Sequence, residues 1–225
     1  VQERQLMAQE ITNLNRSPDK TDIQDFWKSL YSSLYDSVDN DLDRQHLFTA
    51  IEDLEDMFRY RGHGATVEMP LSQLAGKKVL EIGSGAGGHS ALFARHGAIM
   101  TSVDLTIERV KSTGFKFQLM GDQAKGCLAL QGDAESLSFP NDTFDLVYSN
   151  GVLHHTLDTQ RAIDEVYRVL KPDGQAVIML YCKSSWHYWL NMFVPVGIMQ
   201  GKALRLNWLG RATEWGGKHK QTVIN

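Results

Sequence analysis

A glycine cluster lies where a short apolar segment meets a predicted helix, and this combination favours a site for a nucleotide-like ligand. Residues 79–88 read Val-Leu-Glu-Ile-Gly-Ser-Gly-Ala-Gly-Gly. Glycine suits such a turn because it accepts positive φ angles and lets a ligand approach the backbone closely. The following helix would add N–H groups that have no partner within its first turn. For this stretch alone, a tight turn without a ligand is the alternative.

An acidic residue follows the glycine cluster at a spacing known from dinucleotide sites. Gly83, Gly85 and Gly88 fit the pattern G-x-G-x-x-G, and Asp104 ends the next predicted strand 21 residues after Gly83. A carboxylate there can accept hydrogen bonds from both hydroxyls of an adenosine ribose. This arrangement suits NAD as well as S-adenosylmethionine, so these two features leave the cofactor open.

Two further acids favour S-adenosylmethionine over NAD. Glu81 lies two residues before the first glycine, where an acid suits a ligand with an amino group and no pyrophosphate. Asp133 follows the third predicted strand and could accept a hydrogen bond from the adenine amine, while Ala134 offers its backbone N–H to the ring. The alternative for Asp133 is a helix cap or an exposed loop acid.

Four segments in a fixed order then identify a family. They are VLEIGSGAGGHS, SVDLT, GDAESLSFPNDTFDLVYSNGVLHHT and AIDEVYRVLKPDGQAVIMLY. With this order and spacing, residues 77–181 resemble the class I S-adenosylmethionine-dependent methyltransferases, specifically the methyltransferase type 11 group. The resemblance implies a methyltransferase that uses S-adenosylmethionine. Ser84 departs from the group, which often has cysteine at that position.

The resemblance also implies roles for individual residues. Gly83 and Gly85, with Ser84 between them, would line the methionine part of the cofactor, and Asp104 would hold the ribose. Leu105 would pack on the adenine, whose edge Asp133 and Ala134 would read. Ser149 and Asn150 would lie near the methionine amine.

Histidines and an N-terminal segment complete the predicted site. His154 and His155 follow the fourth strand, where the cofactor methyl group should point, and histidine can act as a base near neutral pH. A structural role for this pair is the favoured alternative. In similar proteins the N-terminal segment folds over the cofactor, so Arg61 could pair with its carboxylate and Tyr60 could lie over the site. An ordinary surface loop is the alternative for these two residues.

The elements that position these residues alternate between strand and helix from residue 77 onward, which predicts a Rossmann-like, doubly wound, mostly parallel α/β sheet with helices on both faces. The predicted strands are 78–82, 99–104, 128–131, 144–149 and 175–181. A helix over 159–170 is expected to bury Ile163, Val166, Tyr167 and Leu170, before a turn at 171–174. We expect an N-terminal helical cap over residues 1–64, a cofactor-binding core over 65–181 and a C-terminal helix or lid over 182–225.

The C-terminal segment lacks a strand pair. No two β-like runs joined by a hairpin turn follow residue 181, although methyltransferases of this kind complete a seven-stranded sheet there. We therefore expect the last strands to be missing from this chain, or the edge of the fifth strand to be covered by a partner or by the N-terminal helices, since an open edge favours aggregation.

Composition limits the partners. The net charge of −4 argues against a nucleic-acid partner, which usually meets a basic face. Two isolated cysteines predict no structural metal and fit the cytoplasm. No transmembrane segment is expected, although the aromatic residues after Trp186 could touch a membrane or an apolar acceptor. The predicted function is methyl transfer to a small-molecule acceptor; the alternatives are an NAD-dependent oxidoreductase and a non-catalytic cofactor binder.

Overall fold

Five parallel strands form the sheet at the centre of the molecule. The computed structural model describes residues 19–60, 71–180, 194 and 198, and residues 22–180 belong to one compact unit. The strand order is β3-β2-β1-β4-β5. The strands are β1 (Lys78–Ile82), β2 (Ile99–Asp104), β3 (Leu128–Gln131), β4 (Phe144–Asn150) and β5 (Leu170–Met179).

Helices cover both faces of this sheet, as predicted. They are α1 (Lys20–Asn40), α2 (Arg44–Tyr60), α3 (Gly88–Arg95), α4 (Ile107–Met120) and α5 (Thr159–Val169). Short 3₁₀ turns lie at Leu71–Gln73, Gly121–Ala124 and Leu153–His155. The Rossmann-like α/β prediction is therefore confirmed. None of the helices in the described part of the chain combines the length and the apolar character that crossing a bilayer requires.

The two faces of the sheet bury separate apolar clusters, because side chains alternate between the faces along each strand. On one face, Leu47, Ile51, Leu54 and Phe58 of α2 pack with α3, α4 and strand residues such as Val79. On the other face, α5 packs against strand residues that include Leu80, Ile82 and Val147. The four residues of α2 recur at steps of three and four, which places them on one face of the helix.

The fifth strand begins earlier than predicted. Leu170 already pairs with Phe144, and the register then jumps so that Leu146 pairs with Gln175. The predicted turn at 171–174 is therefore an irregularity inside β5, with Asp173 at a φ of 63°. Asp145, near the start of β4, connects this strand to both neighbouring strands. Its carboxylate accepts hydrogen bonds from Lys78 N of β1 at 2.8 Å and from Lys171 Nζ of β5 at 2.6 Å.

The prediction for Tyr167 is wrong. Its side chain is 83% exposed, whereas Ala162, Val166 and Val169 are the residues of α5 that are buried. A step of four from Ile163 placed Tyr167 on the apolar stripe, but the buried face of α5 is centred on the neighbouring row. The predicted C-terminal helix, residues 181–193 and 199–225, and the missing strand pair lie outside the described residues.

Candidate cofactor site

The strand order creates a crevice at the carboxyl end of the sheet. β1 lies between β2 and β4, so the connections from β1 and β4 leave the sheet in different directions. In open α/β sheets, ligands bind beyond the carboxyl ends of the strands at such a switch point. Apart from Tyr60 and Arg61, the predicted cofactor residues lie at the carboxyl ends of β1, β2 and β4 or in the loops after β1, β2 and β3, and these ends share one edge of the sheet.

The loop after β1 requires glycine for a steric reason. Gly83 has a φ of 78°, and a Cβ atom there would lie 2.3 Å from a methyl carbon of Val152. Gly87 has the same φ, and its Cβ would lie 2.7 Å from the Thr113 hydroxyl. The loop is held to β2 because Gly83 N and Ser84 N both donate to the carbonyl of Val103. Backbone atoms, rather than side chains, therefore form the surface of the turn.

Ser84 is turned toward the protein interior. The residue is 7% exposed, and its Oγ accepts a hydrogen bond from Thr113 Oγ1 at 3.1 Å. The hydroxyl thus braces the glycine loop against α4. Any contact of Ser84 with a cofactor would come from its backbone.

Asp104 connects the glycine loop to the end of β2. Its Oδ2 accepts from Gly85 N at 3.0 Å, and its Oδ1 accepts from the backbone N and the hydroxyl of Thr106, each at 2.9 Å. Burial raises the pKa of the Asp104 carboxyl above its usual range, and these hydrogen bonds oppose the rise. A carboxylate has about four acceptor positions. A ribose diol would therefore have to share or displace one of the protein donors.

The residues predicted to read the adenine edge lie beside Asp104. Gly132 N donates to the Asp104 carbonyl at 3.0 Å, which brings the loop after β3 next to the end of β2. Asp133 Oδ1 accepts from Glu135 N at 2.9 Å, so this carboxylate also shapes its own turn. Ala134 is buried.

Leu105 is held from two sides through its carbonyl oxygen. Gln131 Nε2 and Gln24 Nε2 each donate to it at 3.0 Å. Gln24 belongs to α1, so this helix reaches the predicted adenosine loop. Lys28 of the same helix forms an ion pair with Glu108 at 2.9 Å.

Glu81 lies beneath the glycine loop and is buried. Its Oε2 accepts from Ser90 Oγ, which lies 2.7 Å from Ser102 Oγ. Burial raises the pKa of Glu81 to about 8, and the charge of Asp104 adds to the rise. The β-sheet register places Tyr148 beside Glu81, and burial raises the pKa of that phenol as well. At neutral pH this acidic pair is therefore largely uncharged.

The two predicted residues at the end of β4, Ser149 and Asn150, differ in their exposure. Ser149 is 1% exposed and donates from Oγ to the Ile82 carbonyl at 3.0 Å, so its side chain joins β4 to β1. Asn150 is exposed at the carboxyl end of the strand. Of the two, Asn150 is the one exposed to solvent.

His154 and His155 lie side by side in the 3₁₀ turn after β4. Their ring centroids are 4.0 Å apart with planes tilted by 51°, and His155 meets the edge of Trp27 at 4.9 Å. The turn is braced by Glu135, which is 5% exposed and accepts from Leu157 N and Asp158 N. Tyr60 ends α2; its side chain and Arg61 lie outside what the structure describes.

Sequence patterns missed four residues that the fold brings to this region: Gln24, Trp27, His89 and Glu135. Trp27 contacts His155, which lies 128 positions later in the chain, and a local sequence pattern does not report such a contact. Glu135 lay within a quoted motif, and its burial was the missing information. His89 follows the glycines directly, and only the side-chain contacts distinguish it from an ordinary helix residue.

Comparison with known proteins finds methyltransferases similar to this chain. Residues 80–178 match the family model described as a methyltransferase domain. The chain is 37% identical over 102 residues to the uncharacterised methyltransferase YcgJ of Bacillus subtilis, which covers 45% of this chain and 40% of that protein. It is 33% identical over 111 residues to the demethylmenaquinone methyltransferase of Streptomyces avermitilis, covering 49% and 45%. A crystal structure of an S-adenosylmethionine-dependent methyltransferase from Mesorhizobium loti matches at 26% identity and a TM-score of 0.45, covering 51% of this chain and 50% of that one.

The fold, the glycine loop and the matched family model define a class I S-adenosylmethionine-dependent methyltransferase domain. Within that class, residues 80–178 match the model of the methyltransferase type 11 group. The family prediction is confirmed. The chain spans about half the length of the curated relatives it matches.

Proposed function

We propose that this protein transfers a methyl group from S-adenosylmethionine to a small-molecule acceptor. The observation that carries the proposal is the hydrogen bond between Gly85 N and Asp104, which joins the glycine loop to the acid that ends β2. In this proposal the glycine-loop backbone would hold the methionine part, Asp104 the ribose, and Asp133 with Ala134 the adenine edge. When bound, S-adenosylmethionine supplies an electrophilic methyl carbon. The protein has to align the acceptor atom with that carbon.

The residues present fit this cofactor. Gly83 and Gly85 would accommodate the methionine part, because side chains there are excluded by the backbone angles and by Val152. Asp104 would accept from the ribose, and Asp133 with Ala134 would face the adenine. Asn150 would lie near the methionine amine, while Ser149 would act through β4. Tyr60 and Arg61 would complete the site from the N-terminal side.

We place the N-terminal segment over this site as a cap. Its support is the set of contacts from α1: Gln24 with Leu105, Lys28 with Glu108 and Trp27 with His155. They span from the loop after β2 to the turn after β4, across the carboxyl edge of the sheet. The proposed organisation is a cap over 1–64, a cofactor-binding core over 65–181 and a C-terminal lid over 182–225.

The proposed acceptor is an apolar or aromatic small molecule, such as a quinol. Trp27 beside His155 would provide an aromatic wall near the end of β4, and one relative acts, by its name, on demethylmenaquinone. A sugar or other hydroxyl acceptor is the competing choice. If the acceptor has to lose a proton, His154 or His155 would take it.

Two other functions remain as outcomes of the test. An oxidoreductase would need a proton-transfer pair such as Tyr-x-x-x-Lys on one helix. The single match in the sequence, Tyr167 with Lys171, is divided between α5 and β5, and Lys171 Nζ is paired with Asp145. A non-catalytic homologue would bind the cofactor and transfer nothing. We further propose a cytoplasmic location without a nucleic-acid partner, supported by the isolated cysteines and the acidic composition.

The test uses S-adenosylmethionine carrying a labelled methyl group, incubated with the protein and a panel of quinols, phenols and sugars. We expect label in an apolar aromatic product. Label only in sugars would replace the proposed acceptor class, and binding without any transfer would support the non-catalytic alternative. The chain without the glycine loop geometry, Gly83→Val, serves as the inactive control.

A further inference from the structure

His89 lies next to Glu81 and can carry the opposite charge. It occupies the first turn of α3, and its Nδ1 is 3.8 Å from Glu81 Oε1. The Glu81 side chain is 3% exposed and that of His89 is 18% exposed, so water screens the pair only weakly. The two residues flank the glycine loop, with Glu81 before its first glycine and His89 after its last.

Aromatic rings surround the imidazole. Phe93 stacks nearly parallel to it, with centroids 6.1 Å apart, and Tyr148 and Phe58 approach edge-on at 5.4 and 5.2 Å. The electron-rich face of an aromatic ring attracts a cation placed over it. Of the three rings, the stacked Phe93 is therefore the one that turns its face toward an imidazolium at residue 89.

A cofactor ammonium group close to Glu81 would change the protonation state of its carboxyl. Burial raises the pKa of this carboxyl to about 8, which favours its protonated form at neutral pH. An ammonium group brought close to this carboxyl would favour the ionised form, because opposite charges stabilise each other. The new carboxylate would in turn favour the protonated form of the imidazole 3.8 Å away.

We propose that His89 is a positioning residue of the cofactor site, which takes the proton that Glu81 loses when the cofactor's ammonium group binds. The O–H bond of the carboxyl breaks and an N–H bond forms on the imidazole, so no proton enters or leaves the solvent. The result is a carboxylate held between two cations. This inference depends on the proposed function, because it requires that the chain binds S-adenosylmethionine or its product.

The other groups around Glu81 are not suited to take this proton. From β2, Asp104 is itself an acid and raises the pKa of Glu81. From β4, Tyr148 stays protonated because burial raises its pKa. From α3 and β2, Ser90 and Ser102 offer only hydroxyls. From α2, Phe58 contributes an apolar ring, and Arg109 of α4 acts on Asp104.

The experiment measures proton release as S-adenosylhomocysteine binds. Calorimetric titrations at pH 7.0 in two buffers of different ionisation enthalpy give the number of protons released. We expect close to none for the wild-type chain and most of one proton for His89→Asn. The affinity of that variant should fall about tenfold from pH 7.5 to 6.5, because one proton must then leave to solvent, while wild type changes less than about threefold.

The matched control is His96→Asn, at the other end of α3 and paired with Glu55 instead of Glu81. It should behave like wild type. A second readout uses histidine-labelled wild-type protein, in which the resonance assigned to His89 should move to the imidazolium position on ligand addition. This readout works even if His89→Asn does not fold.

Two results would overturn the inference while leaving the proposed function intact: release of a proton by the wild-type chain, or an unchanged His89 resonance in a complex that forms normally. If S-adenosylhomocysteine does not bind the wild-type chain at all, the proposed function and this inference both fail.

Discussion

Asp104 has two tasks at once, since its carboxylate holds the glycine loop and Thr106 and would also hold the ribose. We predict that Asp104→Asn weakens binding of S-adenosylhomocysteine by about 30-fold or more, which corresponds to about 2 kcal/mol. Asparagine keeps the size of the side chain but replaces one acceptor oxygen with a donor. Isothermal calorimetry gives the affinity.

The control for this variant is Asp122→Asn, an exposed acid in the 3₁₀ turn that follows α4. Its affinity should match wild type. Unchanged affinity in Asp104→Asn would remove Asp104 from the cofactor site.

Glu81 makes the stability of the ligand-free protein depend on pH. Its pKa is raised to about 8 in the folded state from an ordinary value of 4.5. The folded protein therefore holds an extra proton between these values, and the stabilisation is complete below about pH 4.5 and is lost as the pH rises through 8. We predict that the free energy of unfolding falls less for Glu81→Gln, which does not ionise, than for wild type between pH 5.5 and 8.5. The difference between the two losses should be on the order of a few kcal/mol.

Urea denaturation at several pH values measures this difference. Glu52→Gln, at an exposed position of α2, is the control and should follow the wild-type profile. Parallel profiles for wild type and Glu81→Gln would mean that Glu81 is already ionised in the free protein.

His154 and His155 differ in their surroundings, because His155 is the one in ring contact with Trp27. If either is the base, its replacement by asparagine should lower the rate of methyl transfer about 100-fold or more, with little effect on cofactor affinity. Single-turnover rates and calorimetry separate the two effects. A rate that hardly changes, or a loss of cofactor binding, would support a structural role for the pair. We expect this structural role. If one of the two histidines does act as a base, we expect His154, as the one closer to the methyl group.

For individual residues, residue type and spacing predicted the place of a residue in the fold more reliably than the atoms that its side chain contacts. Asp104 was assigned from its distance along the chain to the glycines, and it does contact Gly85. The inward turn of Ser84 and the strand-bridging role of Ser149 depend on which face each side chain takes, and a motif does not encode that choice. His89 was missed because its neighbours Glu81, Phe58 and Tyr148 come from three different elements.

Among the elements, α1 is joined to the core by a pair that water hardly reaches. Lys116 Nζ of α4 contacts Asp39 Oδ1 at 2.6 Å, with the two side chains 9% and 19% exposed. Burial lowers the pKa of Lys116, and Asp39 opposes the effect. Asp39→Asn leaves this ammonium group buried without its counter-charge, and we predict a loss of about 3 kcal/mol in the free energy of unfolding.

Adding Lys116→Met to Asp39→Asn should recover most of that loss, because it removes the isolated charge. Chemical denaturation measures all three variants. The comparison pair is Lys28 with Glu108, which is far more exposed, and Glu108→Gln should cost less than about 1 kcal/mol. Equal losses for Asp39→Asn and Glu108→Gln would show that the Lys116 pair is well hydrated.

Element boundaries followed from the sequence where a strand ends in glycine or at a buried acid, and less well elsewhere. The bounds of β1, β2 and β3 agree with the predicted ranges. β5 was cut short because Pro172-Asp173-Gly174 has the composition of a turn, whereas pairing of Leu170 with Phe144 extends the strand past it. Pairing between distant segments decided this boundary, and local composition does not report it.

For the molecule as a whole, we expect S-adenosylhomocysteine to stabilise the folded protein and NADH to have no effect on its stability. We predict that S-adenosylhomocysteine raises the melting temperature in proportion to the logarithm of its concentration above Kd, because it binds only the folded state. NADH should leave the melting temperature unchanged, since the acidic Glu81 two residues before the first glycine suits an amino group and not a pyrophosphate. Differential scanning fluorimetry with both ligands decides between them; stabilisation by NADH alone would make the methyltransferase proposal wrong.

The close approach of Gly83 to Val152 limits how this protein can be re-engineered. A Cβ at residue 83 would lie 2.3 Å from a methyl carbon of Val152. The residues at positions 83 and 152 therefore have to be chosen together. Val152 directly precedes the turn that carries both histidines, so a library that alters acceptor preference would vary 153–158 and keep 152 fixed. Exchanging that turn for one from another methyltransferase would succeed only if the donor sequence brings a side chain of similar bulk to the same spot.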